Sequence, residues 1–197
     1  MKILLIVLGV LILGFIAFQL YFLRSQKTIE TYPYSIIEKY GGFEIRKYEA
    51  SLFTRVKMET GEYEQVSGKG FSILAGYIFG GNKTNEKIAM TSPVAMSLED
   101  SMTMMFMVPS AYSKEELPEP DQKKIEFHEE PAKIVAVNRF KGWANTRKIE
   151  KHKKRLTDAL DAEGIEYYDR FYFLGYNAPF EVLKRKNEII VELVDRP

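Results

Sequence analysis

Ile3 to Leu23 reads ILLIVLGVLILGFIAFQLYFL, about 21 uncharged residues, and no other feature of the chain constrains its fold so strongly. At 1.5 Å per residue, a helix of that length crosses a hydrocarbon core about 30 Å thick. A cleavable leader has a shorter apolar stretch, roughly 7 to 15 residues, that ends in a small-x-small site. Here Ala17 is followed by Phe18 and Gln19, so residues 1–24 are read as an uncleaved, single-pass transmembrane anchor. Tyr21 and Phe22 are expected at the level of the lipid headgroups. The flanks are balanced, Lys2 and the amino terminus against Arg24 and Lys27, and charge does not choose which side carries the rest.

Beyond the anchor the chain has the composition of an ordinary folded domain, with 46% hydrophobic and 28% charged residues. Its 28 basic and 27 acidic side chains leave a net charge of +1, without the field that attracts a polyanion, so no nucleic-acid partner is expected. The chain has no cysteine, which excludes a disulfide framework, a thiolate nucleophile and a cysteine metal site.

Residues 25–42 read as a polar and aromatic tether in which Pro33 opposes a continuous helix. In the domain that follows, residues 43–197, Phe43–Tyr48 and Leu52–Met58 alternate as two strands, joined as a hairpin through Glu49–Ser51. Tyr63, Val66, Gly70, Phe71, Leu74 and Ile78 recur at helical spacing and predict an amphipathic helix over Glu62–Phe79. Strands follow at Lys87–Leu98 and Met102–Val108. After the LPEP connection the order returns: strands Ile125–Glu129 and Ala132–Phe140, a helix over Asn145–Ala162, strands Arg170–Asn177 and Glu188–Val194. The predicted fold is α+β, with duplicated ββαββ halves at about 43–109 and 123–195. The halves form a distorted antiparallel β-barrel or curved sheet with two helices, and the groove between sheet and helices is the natural binding site.

Few motifs carry chemistry. The glycines of GGNKTN end a helix, whereas a phosphate loop leads from a strand into one, so Gly80 and Gly81 read as a C-cap. No GxSxG elbow is present, and a serine triad would have to recruit one of two histidines. His128 alternates outward on its strand. His152 shares a helix stripe with Ile149, Leu156 and Leu160, which reads either as a satisfied histidine at the edge of the apolar face or as the histidine placed to reach an apolar pocket as an iron ligand. Lys148, Lys151, Lys153, Lys154 and Arg155 make that helix basic, either as a solvated face or toward anionic lipid or ligand carboxylates. Period-two alternation sends Met102, Met104 and Phe106 to one sheet face, and Met105 and Met107 to the other.

Several segments together resemble the SOUL haem-binding family over Thr28 to Leu193: ETYPY, GGFEIRKYEAS, YIFGGNK, KIAMTSPV, FMVPS, LPEP, AVNRFKG and GYNAPFEVLKRKNEIIVEL. The resemblance implies a duplicated barrel-like fold with two helices and a non-catalytic binder of haem, another tetrapyrrole or a related planar apolar ligand. It places the site in a groove near the first helix. In animal members that helix supplies basic residues to the haem propionates; here Gly68 and Gly76 stand at those positions, and Lys69 is the nearest cation. Phe71, Leu74, Ile78 and Met90 are the expected apolar wall, with His152 as the axial candidate; no separate metal site is predicted. The expected partners are the ligand and, through residues 3–23, a lipid membrane. The same architecture also resembles small-molecule-binding domains of the GyrI type, some of them hydrolases with buried carboxylates. A third reading is a protein-interaction module centred on the basic second helix.

Overall fold

The computed structural model describes residues 2–25, 29–58, 63–99, 101–178, 181 and 185–194. Helix α1 (Lys2–Ser25) holds the apolar N-terminal segment, and its window Lys2–Gln19 has a mean hydropathy of 2.5. Among the described residues it is the one helix long and apolar enough to cross a membrane. Tyr21 and Phe22, expected at the headgroups, lie outside the described side chains.

The domain contains strands β1 (Tyr34–Lys39), β2 (Glu44–Tyr48) and β3 (Ser51–Lys57), helix α2 (Tyr63–Ile78), and strands β4 (Val94–Ser97) and β5 (Thr103–Met107). Strands β6 (Ile125–Glu130) and β7 (Lys133–Lys141), helix α3 (Thr146–Ala162), and strands β8 (Tyr167–Gly175) and β9 (Lys186–Leu193) follow. All nine strands form one curled antiparallel sheet in the order β1-β2-β7-β9-β8-β4-β5-β3-β6. Exchanging β2 with β6, β3 with β7, β4 with β8 and β5 with β9 only reverses the run from β2 to β6.

Three expectations are revised. The hairpin of β2 with β3 does not form: β2 pairs with β1 and β7, and β3 with β5 and β6. Glu49 and Ala50 between them turn the chain from one arm of the sheet to the other rather than back along it. Within the expected tether, Tyr34–Lys39 is instead the edge strand β1, whose register with β2 shifts between Ile36 and Glu38. The strand expected over Lys87–Leu98 is regular only from Val94, because Pro93 has no N–H to give to a ladder.

Both faces of the sheet are covered by apolar side chains. On one face α2 and α3 bury Leu74, Leu156 and Leu160 against Ile45, Met104, Phe106, Ile189 and Val191. Each fully buried leucine contributes roughly 1.5–3 kcal/mol. On the other face Tyr32, Tyr48, Phe53, Met105, Met107, Val135, Leu174 and Ile190 pack together, so the methionines divide between the faces as their alternation requires. Helix α3 begins at the N-cap Asn145, whose Oδ1 accepts from the Lys148 amide at 2.8 Å. Helix α2 ends with Gly80 at φ +109° and the Gly81 amide donating to the Gly76 carbonyl at 2.8 Å, a glycine C-cap.

Candidate functional site

Strands β4 and β8 pair at the middle of the sheet, Val94 opposite Gly175 and Met96 opposite Phe173. Above that seam, α2 on one side and the chain entering α3 on the other leave a cleft of about 410 Å³, a size that suits a small-molecule ligand. Its apolar wall is Phe71 from α2, Val94 and Met96 from β4, Met104 from β5 and Phe173 from β8. Tyr63 stands edge-on to Phe173, their ring centroids 5.1 Å apart. Gly68 also lines the cleft, and a Cβ built there meets nothing within 4 Å. Two residues along, helix and sheet nearly touch: a Cβ on Gly70 would meet Met104 Cβ at 3.2 Å.

The polar rim comes from distant parts of the chain: Trp143, Asn177, Arg185 and Asn187. The Arg185 guanidinium lies 3.9 Å over the Trp143 ring. Its Nη1 donates to the main-chain carbonyls of Ala178 (2.9 Å) and Glu181 (2.6 Å). Its Nε is buried and has no hydrogen-bond partner among the described residues. Burial pulls its pKa below the ordinary arginine value, opposed by the charges of Tyr63 and Glu181. Asn187 donates to the Gly142 carbonyl at 2.7 Å and fixes the turn that presents Trp143. Glu64 is the one carboxylate in the lining. Its oxygens accept from the Thr146 amide at 2.9 Å and from the Thr146 hydroxyl, bonds that hold its pKa below the usual carboxylate range and tie α2 to the start of α3.

Of the residues singled out in the sequence, Phe71 is in the cleft wall. Lys69 is exposed on α2 and outside the lining. Leu74 is fully buried in the core between α2 and the sheet. Ile78 and Met90 border a separate void of only about 10 Å³ beyond the C-terminal half of α2. His152 stacks on Phe140, with centroids 4.3 Å apart, and its Nδ1 lies 2.7 Å from Asn138 Oδ1. Burial, followed by the charges of Arg155, Lys151 and Lys148, lowers its pKa. Sequence reasoning missed Trp143, Arg185 and Asn187, which meet only through tertiary structure. Among the described residues no group of three or more histidine and carboxylate side chains is arranged to hold a metal ion.

A second cluster lies on the opposite face. Glu188, one residue from Asn187, is completely buried and accepts from Arg46 (3.1 and 3.2 Å), Arg139 (3.1 Å) and Tyr176 (2.6 Å). Lys186 lies 3.1 Å away. Glu44 pairs with Arg46 at 2.7 Å.

Comparison with known proteins gives consistent results. A family model described as "SOUL heme-binding protein" matches residues 29–192. Mouse "Heme-binding protein 2" is 28% identical over 166 residues, covering 80% of each chain. "Heme-binding protein 1" of Xenopus laevis is 26% identical over 156 residues, 75% of this chain and 81% of its own. In fold, the EcmrR C-terminal domain superposes with a TM-score of 0.61 at 8% identity, covering 83% of this chain and 99% of its own. A hydrolase from Listeria innocua has a TM-score of 0.54 at 12% identity, covering 79% and 94%.

Proposed function

Because the chain belongs to the SOUL heme-binding protein family, we propose that it binds haem or a related tetrapyrrole in the cleft between α2 and the β4–β8 seam. The Arg185 guanidinium carries this reading: held over Trp143 at the rim of an apolar cleft, it is a cation with which a ligand carboxylate would pair. Haem would bring a broad apolar face and two carboxylates. Phe71, Met96, Met104 and Phe173 would pack against such a face, with the methionine side chains adapting to its outline. Arg185, stiffened by Trp143 beneath it, would take a carboxylate. We read the protein as a non-catalytic binder: the one carboxylate in the lining, Glu64, is committed to Thr146.

Two further parts of the reading rest on less local features. The length and apolar exposure of α1 support a membrane anchor for the domain. The symmetric strand order supports duplicated halves, with the cleft over the seam where they join.

The test is titration of haem into the full chain in detergent micelles, followed at the Soret band. A saturable one-to-one shift is expected. Arg185→Glu should weaken it at least tenfold, whereas Arg185→Lys should lose less; thermal unfolding of each variant checks that the fold is retained. Haem association no stronger than with an unrelated protein would end the haem reading, and full affinity in a folded Arg185→Glu variant would remove the site from this rim.

A further inference from the structure

Helix α3 buries Ile149, Leu156 and Leu160 on one side. Away from that face, Arg147, Lys151 and Arg155 follow one another at steps of four and so form a single stripe. All three are exposed, and none has an ion-pair partner among the described residues. Their neighbours are engaged: Lys154 with Asp158 at 2.7 Å, Lys153 with Asp169 at 3.9 Å, and Lys148 with the Trp143 carbonyl at 3.0 Å.

The helix carries six basic side chains against three acidic ones, a surplus of three in a chain whose net charge is only +1. It has no acidic residue in its first turn and no basic residue in its last, so its cations crowd the end where the macrodipole is already positive. That arrangement weakens the helix, and it concentrates a positive field at one place on the surface. Beside the first turn of α3 stands Trp143, the chain's one tryptophan, half-exposed at the rim of the cleft. Cations flanking an exposed indole match an anionic lipid interface, where the ring sits among the headgroups and the charges meet phosphate and carboxylate.

The tether limits how far the point of attachment can stand from a membrane that holds α1. Glu30 is fixed to the domain by its carbonyl, which accepts from the Ser92 amide at 2.9 Å, and by its carboxylate, which accepts from the Ser110 amide at 3.0 Å. Only five residue steps separate it from Ser25 at the end of α1, a reach of at most about 18 Å. We propose that Arg147, Lys151, Arg155 and Trp143 form a docking surface for an anionic bilayer, which turns the mouth of the cleft toward the lipid interface. The proposal rests on the reading of α1 as a membrane anchor.

Trp143 is its own probe. The full chain is reconstituted in nanodiscs of phosphatidylcholine alone, or with phosphatidylserine, with dibrominated acyl chains as quencher. Co-elution with the phosphatidylcholine discs reports the anchor by itself; a chain that stays off them overturns the anchor reading, and the tryptophan is then read against phosphatidylserine vesicles. Docking predicts a blue shift and quenching of Trp143 that require phosphatidylserine and fade in high salt. Each cation removed should lower the docked-to-undocked ratio about fivefold, and the triple variant Arg147→Glu, Lys151→Glu, Arg155→Glu by 100-fold or more, with an unfolding midpoint no lower than that of the wild type. Identical emission with and without phosphatidylserine overturns the proposal, as does a response that survives the triple variant. A change produced by an oligonucleotide but not by the anionic discs overturns it in favour of a nucleic-acid partner.

Discussion

Three glycines on α2 separate the proposed binding role of the cleft from the stability of the helix that lines it. Gly68 faces the cleft and Gly76 is exposed outside its lining, and a Cβ on either meets nothing within 4 Å. Replacing glycine in a helix interior by alanine or leucine gains about 0.7–1 kcal/mol from propensity alone. For a domain of this size that is a rise of about 2–4 °C in Tm. Gly68→Leu and Gly76→Leu should therefore both be stabilised, but only Gly68→Leu fills part of the 410 Å³ cleft with a branched side chain. It should lose haem affinity at least tenfold, while Gly76→Leu keeps it. Gly70→Ala has the opposite sign in stability, because the new methyl meets Met104 Cβ, fixed on β5, at 3.2 Å, and Met58 Sδ at 3.3 Å. The crowding should outweigh the propensity gain and leave a net loss of about 1 kcal/mol. Far-UV circular dichroism on heating gives the stabilities, and Soret titration gives the affinities. Wild-type haem affinity in a stabilised Gly68→Leu variant would refute the placement of the ligand in this cleft.

Glu188→Gln should destabilise the domain by about 3–5 kcal/mol at neutral pH, since it leaves Arg46 and Lys186 around a neutral amide. Burial pushes the Glu188 pKa up, but hydrogen bonds from Arg46 and the charges of Lys186 and Arg46 outweigh it and hold the value below the ordinary one. With its folded value depressed, Glu188 stabilises the fold above its unfolded pKa of about 4.3 and loses that contribution as pH falls through the folded value. Urea unfolding at stepped pH should therefore show the two proteins converging below about pH 4, and a constant gap would remove Glu188 as its source. His152→Leu should leave the Soret band unchanged, because its ring is stacked on Phe140 rather than in the cleft lining; a changed band would bring the histidine back as a ligand.

How far these features could be read in advance depends on the range of the interaction behind each. Helix α2 was legible because Val66, Gly70, Leu74 and Ile78 answer to a period of 3.6 within one stretch of chain, and the division of the methionines between two faces answers to a period of two. Strand β1 was not: all six of its residues are exposed, so it has no buried alternation to show. The β2–β3 turn invites a hairpin locally, but β2 instead pairs with β7, Ile45 opposite Ala136, a choice made by packing far along the chain. Glu188 sits in a run whose alternation is obscured by burial on both faces, and its partner Arg46 is 142 residues away. No spacing rule connects Trp143 to Arg185, which meet only in the folded chain.

The position of the cleft follows from how the sheet is assembled. Its wall from α2, β4 and β5 belongs to the first part of the domain, and Trp143, Phe173, Arg185 and Asn187 belong to the second. Neither set encloses a volume alone, and the β4–β8 ladder holds them at one distance. The Glu64–Thr146 bonds do the same at the level of the helices. Strand β9 then links the cleft to the buried charges behind it, because Asn187 supports the Trp143 turn on one face while Glu188 gathers Arg46, Arg139 and Tyr176 on the other. The charge cluster one residue from Asn187 limits how far that side of the rim can relax, so under the proposed reading a ligand would meet Asn187 and the Trp143 turn already in place. That is the economical arrangement for a binder, since ordering the rim on association would subtract from affinity.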